Sequence, residues 1–132
     1  MNATFHDLQD KHNSLNGTSV RGEQELDAIL QTFGGRQPFF FELVGENGIT
    51  LLIGYGLDMG CVQHSTSDGE PPYLMAVSDE SIENEPFVSF LTGNTPTPIP
   101  KRFCLPLDLV QKIMQDFLTH GENSNIVEWE EI

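Results

Sequence analysis

The fold is decided by the stretch FFFELVGENGITLLI, residues 39–53. Two almost continuous apolar runs, 39–44 and 49–53, flank the segment Gly-Glu-Asn-Gly, which is the pattern of two strands joined by a tight hairpin. The dipeptide Asn47-Gly48 predicts a type I′ turn, in which both central residues take positive φ. Because both runs are nearly all apolar, we expect the two strands to lie centrally in a sheet that helices cover on one face.

Other strand signals lie on either side of this hairpin. Apolar or alternating runs predict strands over residues 60–65, 73–77, 87–91 and 126–130. Residues 95–100, Thr-Pro-Thr-Pro-Ile-Pro, are expected to be stiff and extended because alternate prolines fix φ. Residues 1–20 are mostly polar and predict a short strand or an ordered arm, with Phe5 and Leu8 as its anchors.

Two segments have the apolar spacing of helices. Over residues 23–33 an apolar residue recurs at i, i+3, i+4 and i+7, and two glycines follow. Residues 106–119 carry a broad apolar stripe, with Pro106 at the first helical position and Gly121 as the cap. The order of elements predicts a single α+β domain over residues 1–132, with two main helices packed on a mostly antiparallel sheet of about five to six strands.

The distribution of charge predicts the kind of partner. The chain of 132 residues has a formal net charge of −14 at pH 7, and residues 37–100 contain nine carboxylates but no lysine or arginine. A surface of one sign repels nucleic acid and anionic membranes and attracts basic proteins. We therefore expect a cationic protein partner, and neither nucleic acid nor a membrane.

The N-terminal sequence and the cysteine count limit the compartment. The first residues lack the basic and apolar regions of a signal peptide, and no apolar run approaches the roughly 20 residues of a membrane span. Cys61 and Cys104 are too few for the disulfide framework of a small secreted domain. The sequence therefore predicts a reduced, cytoplasmic protein.

No residue pattern has the spacing that a catalytic or metal site requires. Residues 54–60 are rich in glycine but lack the glycine and lysine positions of nucleotide-binding loops, which favours a turn or bulge. Cys61 and His64 could begin a zinc site, but no second pair of ligands accompanies them. We expect no enzymatic activity, no metal and no cofactor. The alternative is a small ligand-binding or enzymatic domain with a pocket near residues 54–73.

The partner-binding site is predicted in two acidic loops, because much of the cation-free segment is strand. The residues assigned to this site are Asp68, Glu70, Tyr73, Asp79, Glu80, Glu83 and Glu85. A solvated acidic turn is the alternative interpretation of residues 79–85. Trp129 is expected to pack on the core or at the sheet edge, with an interface anchor as the alternative.

Several stretches, taken in order, resemble one known family. Residues 25–30, Glu-Leu-Asp-Ala-Ile-Leu, are similar to its acidic first helix, and Leu52-Ile53-Gly54-Tyr55-Gly56, followed by Gly60 and by Pro72-Tyr73, is similar to its central strands. Most telling is the end of the chain, where the helix running through 116–121 is followed by Ile126-Val127-Glu128-Trp129. Over residues 22–131 the chain resembles the first-numbered family of immunity proteins of bacterial polymorphic toxin systems. It departs from that family where His120 separates Thr119 from Gly121, and where Glu122-Asn123-Ser124 replaces the common Arg-Pro.

The resemblance implies a non-enzymatic protein that is made beside a toxin, binds the toxic domain and occludes its active site. Many such toxins are nucleases or nucleic-acid deaminases with basic substrate surfaces. An acidic inhibitor would present carboxylates where the phosphates of the substrate would lie. We expect a monomer that binds one cognate toxin domain.

Overall fold

The computed structural model describes residues 1–77 and 87–132. The described residues form ten strands and two α-helices. In chain order these are β1 Ala3–Asp7, β2 Ser19–Val20, α1 Glu23–Gln31, β3 Phe39–Gly45, β4 Ile49–Tyr55, β5 Met59–Thr66, β6 Leu74–Val77, β7 Phe87–Thr92, β8 Thr95–Pro100, β9 Leu105–Pro106, α2 Leu107–His120 and β10 Glu128–Glu131. Neither helix has the length and apolar content needed to cross a membrane.

The strands form one sheet in the order β10-β6-β5-β4-β3-β1-β2, and neighbours along this path are antiparallel. The predicted hairpin, β3–β4, lies inside the sheet, as expected from its apolar runs. The α+β class and the mostly antiparallel sheet are confirmed, but the predicted count of five to six strands is too low. The short strands β2 and β9 and the proline-rich β8 join the sheet and account for most of the difference.

The predicted type I′ turn is wrong at the β3–β4 hairpin. Gly48 has φ +84, whereas Asn47 does not take positive φ, so the loop is a longer turn with one left-handed residue. The Asn47 side chain is used otherwise: its Oδ1 accepts from Ile49 N and its Nδ2 donates to Gly121 O at 2.8 Å. Two consecutive positive φ values occur instead at Gly93 and Asn94, between β7 and β8.

Both predicted helices form, with slightly different ends. α1 begins after an extended Gly22, as expected, but ends at Gln31 rather than at Phe33. The Thr32 hydroxyl donates to Ile29 O at 2.6 Å and so occupies a carbonyl of the last turn. α2 begins at Leu107, one residue after the predicted Pro106, and Gly121 ends it in the left-handed conformation with φ +72.

The helices cover one face of the sheet, which we call the helix face. Its main core joins residues from β1, β3, β4 and β5 with the apolar stripes of both helices. Aromatic rings dominate its centre: the ring centroid of Phe41 lies 5.5 Å from that of Phe5 and 5.3 Å from that of Phe33. The tail closes on the same face, where Trp129 packs against this core and its indole nitrogen donates to Ser124 O at 2.8 Å.

Among the residues that the structure describes, the β7–β8 hairpin covers part of the opposite face. Phe90 of this hairpin is fully buried and its ring lies 5.4 Å from that of Phe40. These residues form a second, smaller apolar cluster with Cys61, Met75 and Cys104. The tip of the hairpin is held by Gln9, whose side chain makes two hydrogen bonds to Asn94.

The strand register places a continuous row of side chains on this second face. The row, which we call the open row, runs through Glu130, Met75, Gln63, Leu52, Glu42 and His6, each opposite the next on a neighbouring strand. Directly opposed residues point to the same face of a sheet, so these six side chains lie together across six strands, about 24 Å wide. Met75 is buried, and the other five are only half-buried.

Candidate partner-binding surfaces

The predicted site residues fall into two groups. Asp68, Glu70 and Tyr73 lie in or beside the loop between β5 and β6. The other four, Asp79, Glu80, Glu83 and Glu85, lie outside the described residues. The described group lies beside the start of β6, a strand of four residues that spans about 10 Å.

The β5–β6 loop is closed by its own hydrogen bonds. The Thr66 hydroxyl and the backbone N–H of Glu70 both donate to Asp68 Oδ1, and the Tyr73 hydroxyl donates to Gly69 O. The bonds from Thr66 and Glu70 lower the pKa of Asp68, so its exposed carboxylate is ionised at neutral pH. Asp68 therefore presents charge from a fixed turn, while the half-buried Tyr73 shapes that turn.

β10 adds carboxylates next to this loop. It pairs with β6 from Glu128 opposite Val77 to Glu131 opposite Leu74, and Ile132 N donates to Tyr73 O at 3.0 Å. We call the resulting surface the acidic edge, defined as Asp68, Glu70, Glu128, Glu130 and Glu131. Among the described residues, only Glu130 of these five has a cationic partner, Arg102. The acidic edge therefore carries a net negative charge, and only the charge of Glu130 is offset, by Arg102, among the described residues.

Sequence reasoning did not assign the three glutamates of β10 to the site. The alternation of residues 126–130 predicted a terminal strand, and that strand is present from Glu128. What the pattern could not reveal is its neighbour, since β10 pairs with β6 across some fifty positions of sequence. The one sequence signal for this surface was the high density of glutamate around Trp129, in residues 128–131.

The residues near the two limits of the alternative pocket, 54–73, do not lie together, although Cys61 and Gln63 of that stretch line a small cleft. Gly60 and Tyr73 lie toward opposite ends of β5, whose eight residues span about 24 Å. The glycines instead permit close backbone packing at the β4–β5 turn, where a Cβ on Gly60 would lie 2.2 Å from Gly54 O. These glycines lie at the turn between β4 and β5, as the sequence predicted.

Cys61 and Cys104 lie in the same cluster, but His64 does not join them. Cys61 belongs to the cluster under the β7–β8 hairpin, whereas His64 lies on the helix face with its ring 6.2 Å from that of Trp129. Burial raises the pKa of the Cys61 thiol and raises that of Cys104 to about 11, so both thiols are protonated at neutral pH. Burial also lowers the pKa of His64. Within residues 1–77 and 87–132, no group of three or more His, Cys, Asp or Glu is placed to hold a metal ion.

Comparison with known proteins gives one result. No curated protein matches the chain. The family model described as Immunity protein Imm1 matches residues 15–131, which include both helices, the stretches that carried the resemblance and all five residues of the acidic edge. The chain therefore belongs to the Imm1 family of immunity proteins.

Proposed function

We propose that this protein neutralises a cognate toxin by binding its toxic domain and occluding the active site. The toxin domain is basic and acts on nucleic acid, as a nuclease or a deaminase. The complex forms in the cytoplasm between one immunity protein and one toxin domain. Membership of the Imm1 family supports the general role of toxin immunity and a non-enzymatic mode of action.

The acidic edge is the observation that carries the proposal for the kind of toxin. Four of its five carboxylates have no cationic partner among the described residues, and their charge is available to an incoming surface. A toxin that binds nucleic acid carries lysine and arginine where the phosphates lie. The carboxylates compete for those same cations and so place the inhibitor over the substrate site.

Charge of this kind acts mainly on the rate of association. Electrostatic steering raises association rate constants toward about 10⁸–10⁹ M⁻¹s⁻¹ at low salt, and the increase is lost as salt screens the charges. Affinity depends instead on a few desolvated side chains near the centre of the interface. We expect the predicted loop residues Asp79, Glu80, Glu83 and Glu85 to contribute to steering together with the acidic edge.

The experiment uses the toxin domain encoded beside this gene. Co-expression should restore growth to cells that produce the toxin, and the two proteins should co-purify.

The double variant Glu128→Lys/Glu131→Lys should slow association at least tenfold at low salt, because it reverses the steering charge. The matched control Glu23→Lys/Glu122→Lys changes the net charge equally at exposed positions outside the acidic edge. Failure of the wild-type protein to protect cells or to bind would reject the function itself. Equal slowing by both double variants would reject the acidic edge as the steering surface.

A further inference from the structure

The open row borders an apolar cleft that the described residues, 1–77 and 87–132, leave unfilled. The cleft has a volume of about 220 Å³ and lies between the sheet and the β7–β8 hairpin. Its floor is made by the buried side chains of Phe40, Cys61 and Met75. Half-buried Leu8, Leu52, Gln63 and Ile99 form the walls, and exposed Thr92 and Thr97 form the rim.

The cleft exists because the hairpin loses side-chain bulk toward its tip. Phe90 and Thr97 are direct cross-strand partners, so both point toward the sheet, and so does Thr92, two residues after Phe90. Phe90 fills the space above Phe40, whereas the short threonines leave the space above Leu52 and Gln63 open. A cavity of about 150 Å³ is sufficient to hold benzene, so this cleft has room for one large apolar side chain.

The charges around the cleft determine what kind of segment can lie over it. Among the described residues, no lysine or arginine lines the cleft. The open row has Glu42 near one end and, at the other, Glu130, whose charge is offset by its ion pair with Arg102. Glu128, two residues before Glu130 on the same strand, faces the same side, and neither Glu128 nor Glu42 has a lysine or arginine partner in the described part of the chain. These two carboxylates give the surround a net negative charge, and an apolar centre with such a surround is complementary to a basic segment that carries one exposed apolar side chain.

The nearby sheet edge is closed to a different mode of binding. β8 is an edge strand in which Pro96, Pro98 and Pro100 alternate, and proline has no N–H to donate to a ladder. Its ladder with β7 therefore uses the N–H groups of the residues between the prolines, and the outer edge of β8 has only carbonyl acceptors. A partner therefore cannot extend the sheet at β8 with a regular strand.

We propose that the open row and its cleft form the docking surface for the toxin, with the cleft receiving one apolar anchor side chain from a basic segment of the toxin domain. This inference rests on the proposed function and extends it. The acidic edge steers the encounter, and Glu130 belongs to both surfaces. The anchor in the cleft then supplies a buried, desolvated contact of the kind that dominates affinity.

The cleft is tested by filling it. Thr97→Trp places an indole over the opening of the cleft. The matched control is Gln24→Trp, at an exposed position of α1 on the other side of the sheet. Binding of the toxin domain encoded beside this gene should weaken at least tenfold for Thr97→Trp and less than twofold for Gln24→Trp. Circular dichroism and thermal unfolding establish that each variant is folded.

The sign of the partner's charge is tested at one wall residue. Gln63→Lys puts a cation beside the cleft, and Gln63→Glu puts an anion of similar size in the same place. A basic occupant predicts at least tenfold weaker binding for the lysine variant, and equal or tighter binding for the glutamate variant. This pair also decides the question if Thr97→Trp does not fold.

The outcomes separate this inference from the function on which it rests. Wild-type binding that is unchanged by Thr97→Trp and Gln63→Lys would overturn the docking surface and leave the immunity function standing. Loss of protection and binding in the wild-type protein would overturn both. A concentration-dependent dimer in sedimentation that Thr97→Trp dissociates would assign the face to a second copy of this chain, and so would also overturn the inference.

Discussion

The two faces of the sheet are built from the same strands but are covered very differently. On β3, Phe41 points to the helix face and is fully buried, whereas the next residue, Glu42, points to the other face and is half-buried. On β4, Leu51 and Leu52 differ in the same way. The helix face is closed by two amphipathic helices and the tail, while in the described part of the chain the second face is closed only where the β7–β8 hairpin reaches.

The difference teaches that a binding surface can be part of the sheet itself. The sequence directed attention to acidic loops, because loops display charge and strands are assumed to be buried. A half-covered sheet face displays side chains at fixed spacing on a rigid support, which favours binding because little conformational entropy is lost. The predictions below test whether the helix face carries stability while the open row carries little of it.

The largest effect is expected from truncation on the helix face. Phe41→Ala removes a ring in contact with those of Phe5 and Phe33, and should lower the free energy of unfolding by about 3–5 kcal/mol. Leu52→Ala on the open row is the control; it should cost less than about 1.5 kcal/mol, since its side chain is already half-exposed. Urea unfolding of both variants measures the difference. Equal costs would mean that the second face is as closely packed as the first.

A second effect is expected at the buried ion pair beside the helix face. Asp7 is buried, and Arg36 donates to both of its carboxylate oxygens, at 2.8 and 3.3 Å. Burial alone would raise the pKa of Asp7, but the hydrogen bonds from Arg36, Asn13 and the backbone of Asp10 outweigh burial and lower it. Asp7→Asn should therefore cost about 1.5–3 kcal/mol at pH 7, the usual value for hydrogen bonds to a charged group.

The lowered pKa of Asp7 also predicts how the free energy of unfolding changes with pH. Because the pKa of Asp7 is lower in the folded state than in the unfolded state, the unfolded chain takes up the proton first as pH falls. The stabilisation is complete above the unfolded pKa, near 3.8, and is lost as pH falls through the folded value. The free energy of unfolding of Asp7→Asn should decline less between pH 6 and pH 3 than that of the wild type. A decline in Asp7→Asn that runs parallel to that of the wild type would contradict this account.

Local sequence patterns predicted the helices and the central strands. Features that depend on pairing between distant segments could not be predicted. The helical stripe of α1, the apolar runs of β3 and β4 and the glycine after α2 are properties of neighbouring residues, and all three are present in the structure. The strand at Thr95–Pro100 was predicted only as extended chain, because a proline-rich segment becomes a strand only when a partner such as β7 supplies its ladder. The turn at Asn47 differed for a similar reason, since its side chain reaches Gly121 on a distant helix.

The candidate site divides in the same manner. Asp68 and Glu70 could be identified from sequence because a charged turn residue is exposed wherever the turn lies. The contribution of β10 and the alignment of the open row depend on the register between strands far apart in sequence. No local pattern specifies that His6, Glu42 and Leu52 become neighbours.

The smallest effect is expected from the ion pair of the open row, which is the direct counterpart of Asp7 and Arg36. His6 precedes Asp7 and points to the other face, where its Nδ1 lies 3.5 Å from Glu42 Oε1; the side chains are 41% and 29% exposed. An exposed pair of this kind contributes at most about 1 kcal/mol, and the imidazole attracts the carboxylate only when it is protonated.

A double-mutant cycle with His6→Gln and Glu42→Gln should therefore give a coupling free energy below about 1 kcal/mol in urea unfolding at pH 7. A larger coupling would make the pair a structural element like its buried counterpart. A small coupling, together with a small cost of Glu42→Gln alone in the same cycle, would allow Glu42 to be changed in binding experiments without loss of the fold. Any effect of Glu42→Gln on toxin affinity would then report contact with the partner.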